Sequence, residues 1–219
     1  MPKVKPFEKH ASKYEEWFQR NKLAYESELQ AIKELLPESK NGIEIGVGSG
    51  RFAAPLGIKL GLDPSRKMRK LAQKRGIEVI DGVAEAIPLG DSQFDFVLMV
   101  TTLCFLDDVE AGLKEAHRVL KSNGSLIIGF IDVNSPMGRS YQQKKNDNVF
   151  YKEASFYSVE EVVAHLKKAG FVNFDFKQTL FRPLAEISDI EPVKEGYGEG
   201  SFVVVKATKR DIKVRSFMP

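Results

Sequence analysis

A single cysteine, Cys104, stands among the 219 residues, so no internal disulfide forms and no cysteine-rich zinc site can be built; no metal is expected. Long apolar runs are also missing, and nothing approaches the ~20 residues of a membrane span. The first thirty residues carry Lys3, Lys5, Glu8, Lys9, Glu15, Glu16 and Arg20, a pattern unlike a secretory leader. The expected location is therefore cytoplasmic. Charge of one sign is lacking too: 33 basic against 30 acidic side chains leave +3, weak grounds for a nucleic-acid partner. Lys144-Lys145 and the tail around Lys209 and Arg210 are the basic clusters, and both read as solvated faces. Internal repeats and low-complexity stretches are absent.

What is present is enough apolar content, 42%, for one complete core, read here as one domain over residues 1–219. Its most informative stretch is Asn41-Gly42-Ile43-Glu44-Ile45-Gly46-Val47-Gly48-Ser49-Gly50, an apolar strand that runs into glycines on alternate positions. Glycine allows the backbone torsions of such a turn and leaves main-chain atoms open to a ligand. The spacing is G-x-G-x-G. A dinucleotide fingerprint wants a small residue at the sixth place from Gly46, which here is Arg51. A second strand, residues 58–63, ends in Asp63, Pro64 and Ser65; an ionised Asp63 accepts both hydroxyls of a ribose through charge-assisted bonds worth about 1.5 to 3 kcal/mol each. A third strand spans residues 77–81 and leads into Gly82-Val83-Ala84-Glu85-Ala86-Ile87-Pro88; a fourth is Phe94–Val100.

Helical periodicity fills the intervals. Two helices precede the first strand: one bears Tyr14 and Trp17, the other sets Tyr25, Leu29, Ile32 and Leu36 on one face and stops at Pro37. Residues 51–57 allow a crossover helix of about two turns. Val109, Leu113, Ala116 and Leu120 stripe a longer helix ended by Asn123-Gly124, with His117 on its polar face. Ser158 and Glu161 form a capping box for a helix that runs to Gly170 and carries His165 outward. His117 and His165 thus read as surface residues, and His10 sits one turn before Tyr14. Strands through Phe174 and Phe176 and through residues 202–205 follow. Strands alternating with helices imply an α/β fold, a doubly wound and mostly parallel sheet with right-handed crossovers.

Taken in order, EIGVGSG, GLDPS, the G-x-A-E-x-I-P turn, FDFVLMV and EAHRVLKSNGSLIIGF resemble the class I S-adenosylmethionine-dependent methyltransferases, particularly the small-molecule type 11 branch. The resemblance implies a seven-stranded Rossmann-like sheet in order 3-2-1-4-5-7-6 with strand 7 antiparallel. It divides the chain into a helical cap (1–37), a cofactor-binding half (41–132), substrate-side loops (133–157 and 180–200), a last strand (201–208) and a basic tail (209–219). S-adenosylmethionine is the implied cofactor and S-adenosylhomocysteine its product. Glu44, Gly46, Gly48 and Gly50 would carry the methionine part, Asp63 and Pro64 the ribose, and Gly82, Val83, Ala84 and Glu85 the adenine, with Met68 stacked nearby. Tyr14 and Trp17 either approach the sulfonium or pack their helix onto the sheet. Two positions depart from the family: Val83 stands where an adenine-binding aspartate is usual, and Phe105 where a histidine is common.

In such a sheet ligands bind beyond the carboxyl ends of the strands, where the two long loops also emerge. Tyr141, Phe150, Tyr151, Phe156, Tyr157, Phe181 and Tyr197 would build an apolar acceptor chamber beside Phe105, with Arg139 or Glu186, Asp189, Glu191, Glu195 and Glu199 adding polarity. Thr101, Thr102 and Cys104, at the end of the fourth strand, are the candidates nearest the transferred methyl; a core role for Cys104 is equally open. The expected activity is methyl transfer to a small molecule, an amine or aromatic metabolite, by in-line displacement. Two other readings compete: a non-catalytic S-adenosylmethionine-binding module, and a nicotinamide-dependent oxidoreductase, for which Asp63 fits and Arg51 does not.

Overall fold

The computed structural model describes residues 3–39 and 41–210; residues 1–2 of the cap and 211–219 of the basic tail lie outside the described residues. Where two helices are expected before the first strand, the chain forms three: α1 (Lys5–Lys9), α2 (Ala11–Arg20) and α3 (Lys22–Leu35). His10 and Asn21 interrupt them with non-helical torsions, and the Asn21 side chain donates to the Trp17 carbonyl 2.9 Å away. Side-chain bonding to the backbone competes with helix propagation, which explains the break at Asn21.

The sheet has eight strands: β1 (Gly42–Ile45), β2 (Leu60–Leu62), β3 (Glu78–Ile80), β4 (Phe94–Val100), β5 (Leu120–Ile131), β6 (Phe171–Thr179), β7 (Lys194–Glu195) and β8 (Phe202–Lys209). Their order is β3-β2-β1-β4-β5-β8-β6-β7. This is the expected seven-stranded order with one addition, the two-residue edge strand β7, antiparallel to β6. Both β7 residues are exposed and charged, so no apolar alternation marks them in the sequence. The pairs β1–β2, β1–β4, β2–β3 and β4–β5 are parallel, while β8 runs antiparallel between β5 and β6.

Central strands are apolar on both faces because helices cover both. One layer packs α5 (Val109–Val119) and α7 (Val159–Lys168) onto Val97, Met99, Leu126 and Ile128; the other packs α3 and α4 (Arg66–Lys74) onto Leu98, Val100, Ile127 and Val204. The capping box of α7 forms as read, Ser158 accepting from the Glu161 amide and Glu161 from that of Ser158.

Three segments differ from expectation. Residues 51–57 make irregular turns held by bonds such as Ala54 N–H to the Gly50 carbonyl, with Phe52 and Ala53 buried, instead of a two-turn helix. Helix α5 passes directly into β5 at Leu120, and Asn123-Gly124 falls in a bulge between the pairs Phe94–Leu120 and Phe96–Ser125, with Asn123 at φ 61°. The connection after β5 is ordered by α6 (Pro136–Gln143) and two short 3-10 turns. No helix among the described residues is long and apolar enough to cross a membrane.

Candidate functional site

Beyond the carboxyl end of β1 the chain turns through Gly46 (φ 71°), Gly48 (φ 53°) and Gly50 (φ 80°). A Cβ on Gly46 would stand 2.4 Å from the Thr102 side chain, so only a bare backbone fits there. Gly48 faces open space bounded by the Tyr14 hydroxyl, 3.2 Å from where its Cβ would be. Asp63, at the tip of β2, ties the turn down: one carboxylate oxygen accepts the Gly48 amide and the other the Ser65 amide, both at 2.8 Å. Burial pushes its pKa up to about 6, against the pull of those two amides.

These groups line an open cavity of about 770 Å³, counting the solvent-filled space at its mouth. Gly46, Gly48, Asp63, Pro64 and Met68 form one side of it. Gly82, Val83, Ala84 and Glu85 form another, and Tyr14, Thr101, Thr102 and Phe105 also reach it. Helix α1 supplies a roof that the sequence did not disclose, Val4 and Phe7 lining the cavity together with Lys3. Five residues show no helical period, so no signal marked them. The roof is latched from outside: Glu8 accepts from the Ser65 hydroxyl (2.8 Å) and the Lys67 amide (3.1 Å) at the start of α4, and Lys3 donates to the Leu106 carbonyl (3.1 Å).

Three expected members of this wall stand elsewhere. Trp17 packs on the core and against Phe18, ring centres 5.1 Å apart. Gly50 faces Ala72 and Ile77, where its missing side chain lets α4 approach. Glu44 lies beneath the turn, 1% exposed, with one carboxylate oxygen unpartnered among the described residues; burial pushes its pKa well up, against the Ala53 amide that it accepts. Glu85 does reach the cavity, but its carboxylate accepts from the Asp107 and Asp108 amides at 2.8 and 3.3 Å.

A second cavity, about 420 Å³, adjoins the first. Thr101 lines both, at φ 49°, a left-handed conformation that β-branched residues avoid. The remaining wall is Leu103, Cys104, Phe130, Ile131, Tyr141, Tyr151, Phe156 and Tyr157, with no ionic side chain. The rings of Tyr141 and Tyr151 lie 5.0 Å apart, tilted by 32°, and Phe156 meets Tyr151 edge-on at 5.5 Å. Cys104 donates to the Thr101 carbonyl at 3.3 Å, and burial pushes its thiol up to about pKa 12, far from a reactive thiolate.

Several residues expected on this chamber are placed otherwise. Phe105 faces the first cavity. Phe150 turns toward the roof, against Phe7 (5.4 Å) and Tyr14 (6.1 Å). Arg139 bonds the Asn134 carbonyl and lines neither cavity. Tyr197 is 44% exposed and lies on Phe176 at 4.9 Å. The acids of residues 180–200 are spent on local pairs: Arg182 with Glu191 and Asp189, Lys177 with Glu195 and Lys194 with Glu199, while Glu186 is exposed. Phe181 sits under the Lys194 ammonium, 4.5 Å away. This loop covers α3 instead of the chamber because its apolar members Leu184, Ile187 and Val193 join that layer. His165 packs edge-on to Tyr157; His117 is half-buried against Phe171 instead of lying on the surface, and burial lowers its pKa.

The sequence profile of the family described as "Methyltransferase domain" matches residues 43–128. The chain is 55% identical to an S-adenosylmethionine-dependent methyltransferase of Thermotoga maritima described as a possible histamine N-methyltransferase, with TM-score 0.92 over 94% of this chain and 98% of that one. An uncharacterised protein of Methanocaldococcus jannaschii is 46% identical over 203 residues, 93% of this chain and 98% of its own. At the level of fold alone, a Haemonchus contortus phosphoethanolamine N-methyltransferase bound to S-adenosylhomocysteine is 16% identical with TM-score 0.61, over 84% of this chain and 52% of that one. By motif order, sheet topology and these full-length relatives, the chain belongs to the class I S-adenosylmethionine-dependent methyltransferases, in their type 11 branch.

Proposed function

We propose that this enzyme methylates a small amine, aromatic or carried beside an aromatic group, which sits in the second cavity while the cofactor occupies the first. The observation that supports it is the shared wall: Thr101 borders both spaces, and the second is faced by five aromatic rings with no ionic group. The relative at 55% identity, described as a possible histamine N-methyltransferase, points to the same acceptor class.

The residues of the first cavity fit the cofactor. The bare backbone at Gly46 and Gly48, with Tyr14 opposite, would hold its methionine part; Asp63 beside Pro64 would take the ribose hydroxyls. Adenine would lie along Gly82, Val83 and Ala84 with Met68 beneath, read through backbone groups, since Glu85 is committed to residues 107 and 108. Bound there, S-adenosylmethionine supplies an electrophilic methyl carried on a sulfonium. The chain's own contribution is placement, bringing the acceptor atom to about 3 to 3.5 Å from that carbon and in line with it, which is worth much of the barrier. Thr101 and Thr102 border the first cavity, and Thr101 and Cys104 the second, with the Cys104 thiol held in its protonated form by burial.

A turnover screen of aromatic amines, alkyl amines and phenols, read as S-adenosylhomocysteine formed, tests the reading. Amines carrying an aromatic ring should turn over fastest. Turnover confined to protein or nucleic-acid substrates would overturn it.

A further inference from the structure

The second cavity is walled by rings, hydroxyls and a thiol, and none of these takes up a proton near neutral pH. Among the described residues no carboxylate, imidazole, ammonium or guanidinium lines it. Burial raises the pKa of Tyr141 and of the Cys104 thiol to about 12 and raises those of Tyr151 and Tyr157 too, so all four keep their protons. Ionisable groups stand only behind these walls. Glu28 of α3, 4% exposed and raised to about 8 by burial, bears on Tyr141 and Tyr151; Lys3 bears on Cys104; Glu161 and the His165 ring, 5.8 Å away, bear on Tyr157. Asp132 follows Ile131 of the wall but turns its carboxylate to the Asn134 amide at 3.0 Å, and Arg139, Lys152 and Glu153 are exposed.

A sulfonium methyl is taken only by a lone pair. The nitrogen lone pair forms the N–C bond as the C–S bond breaks, and the electrons of the broken bond stay on sulfur. The nitrogen emerges methylated and cationic, and gives its N–H proton to water after release. An alkyl amine titrates like a lysine side chain, near ~10.4, so at about pH 7.5 roughly one molecule in a thousand carries the lone pair. An imidazole, near ~6.5, is mostly free, and an aryl amine shares its lone pair with the ring and is a weaker base still. To use an alkylammonium ion, a site needs a counter-charge to replace its hydration and a base to take its proton. This chamber offers neither, while its aromatic faces favour the positive charge that grows on nitrogen during transfer.

Resting on the amine reading above, we propose that the chamber admits its acceptor only as the free base and so selects weakly basic nitrogens, those of aryl amines and imidazoles, over alkyl amines of the same size.

The isomers p-toluidine and benzylamine test this, the first neutral and the second protonated at about pH 7.5. Each is titrated calorimetrically into the protein saturated with S-adenosylhomocysteine, in buffers of different ionisation enthalpy that report the protons released. Benzylamine should release about one proton per molecule bound and gain about tenfold in affinity per pH unit from about pH 6.5 to about pH 8.5. The toluidine should release none and bind equally throughout. With S-adenosylmethionine, kcat/KM at about pH 7.5 should favour p-toluidine by about tenfold, and the benzylamine value should climb with pH as its affinity does. Benzylamine bound without proton release, as the ammonium ion, would overturn the proposal. So would an affinity change at one pH common to both amines, the mark of a protein group such as Glu28 or Asp132 acting on the chamber. Neither result needs a variant to fold. The acceptor reading fails differently: neither amine binds, and a phenol turns over.

Discussion

Asp63 carries two duties on one side chain, fastening the glycine turn through Gly48 and Ser65 and presenting its carboxylate to the cofactor cavity. Asp63→Ala should therefore weaken S-adenosylhomocysteine binding by at least about tenfold in isothermal titration, the loss of one or more charge-assisted bonds. Its pKa is raised to about 6, so the acceptor form prevails above that pH; affinity should fall as pH drops from about 7.5 to about 5.5. Residue identities at this site were legible where a local motif fixes geometry. Gly46, Gly48 and Asp63 follow from turn torsions and strand ends, which are decided within a few residues. Trp17, Gly50, Glu44 and Tyr197 were misplaced because sequence tells that a side chain is near a loop, not which side of it the side chain takes. Glu28 gave no sequence signal: a glutamate on a helix ordinarily reads as solvated, and only the packed fold shows it buried.

At the scale of elements, the cap is attached to the glycine turn by one carboxylate. Glu15 of α2 meets the Arg51 and Arg75 guanidiniums, each at 2.5 Å, while the Tyr25 hydroxyl of α3 donates to the Arg51 carbonyl and Arg51 lies 5.2 Å over the Phe18 ring. Arg75 in turn donates to the Ser49 carbonyl at 2.7 Å. Glu15→Ala leaves two cations facing each other, and such half-broken clusters are costlier than absent ones. The expected outcome is a lower melting temperature and a several-fold weaker S-adenosylhomocysteine affinity, with the two losses appearing together; an affinity unchanged in a destabilised protein would separate the cap from the cavity. Among elements, α7 and β4 were readable to within a residue or two, since a capping box and a continuous apolar run are self-contained signals. The edge strand β7, the short α1 and the irregular 51–57 segment owe their form to tertiary contacts, and their sequences hold little that announces it.

Across the whole molecule, two apolar layers enclose a sheet whose carboxyl ends open into both cavities, and Glu28, beside the hydrogen-bonded Ser27, is the ionisable group on the inward face of α3. The folded state raises the pKa of Glu28 from about 4.5 to about 8; its contribution to stability is present below about pH 4.5 and is lost as pH rises toward 8. At about 1.4 kcal/mol per pH unit, the unfavourable balance at pH 8 is on the order of a few kcal/mol. Glu28→Gln should accordingly melt about 5 °C higher than wild type at pH 8, with the difference vanishing near pH 4.5 in differential scanning calorimetry. A melting temperature that falls at pH 8 would mean that the charge is compensated in the native fold. The topology itself was foreseeable, because alternating strands and helices leave few chiral arrangements open.

Thr101 belongs to both cavities and keeps a backbone geometry that its side-chain type resists, at about 1 to 2 kcal/mol. A replacement there cannot be silent on one side and felt on the other. If the two cavities hold donor and acceptor as proposed, the affinity for one and the choice of the other are coupled through this threonine, and a change of acceptor alone falls to the tyrosines and phenylalanines that line the second cavity only.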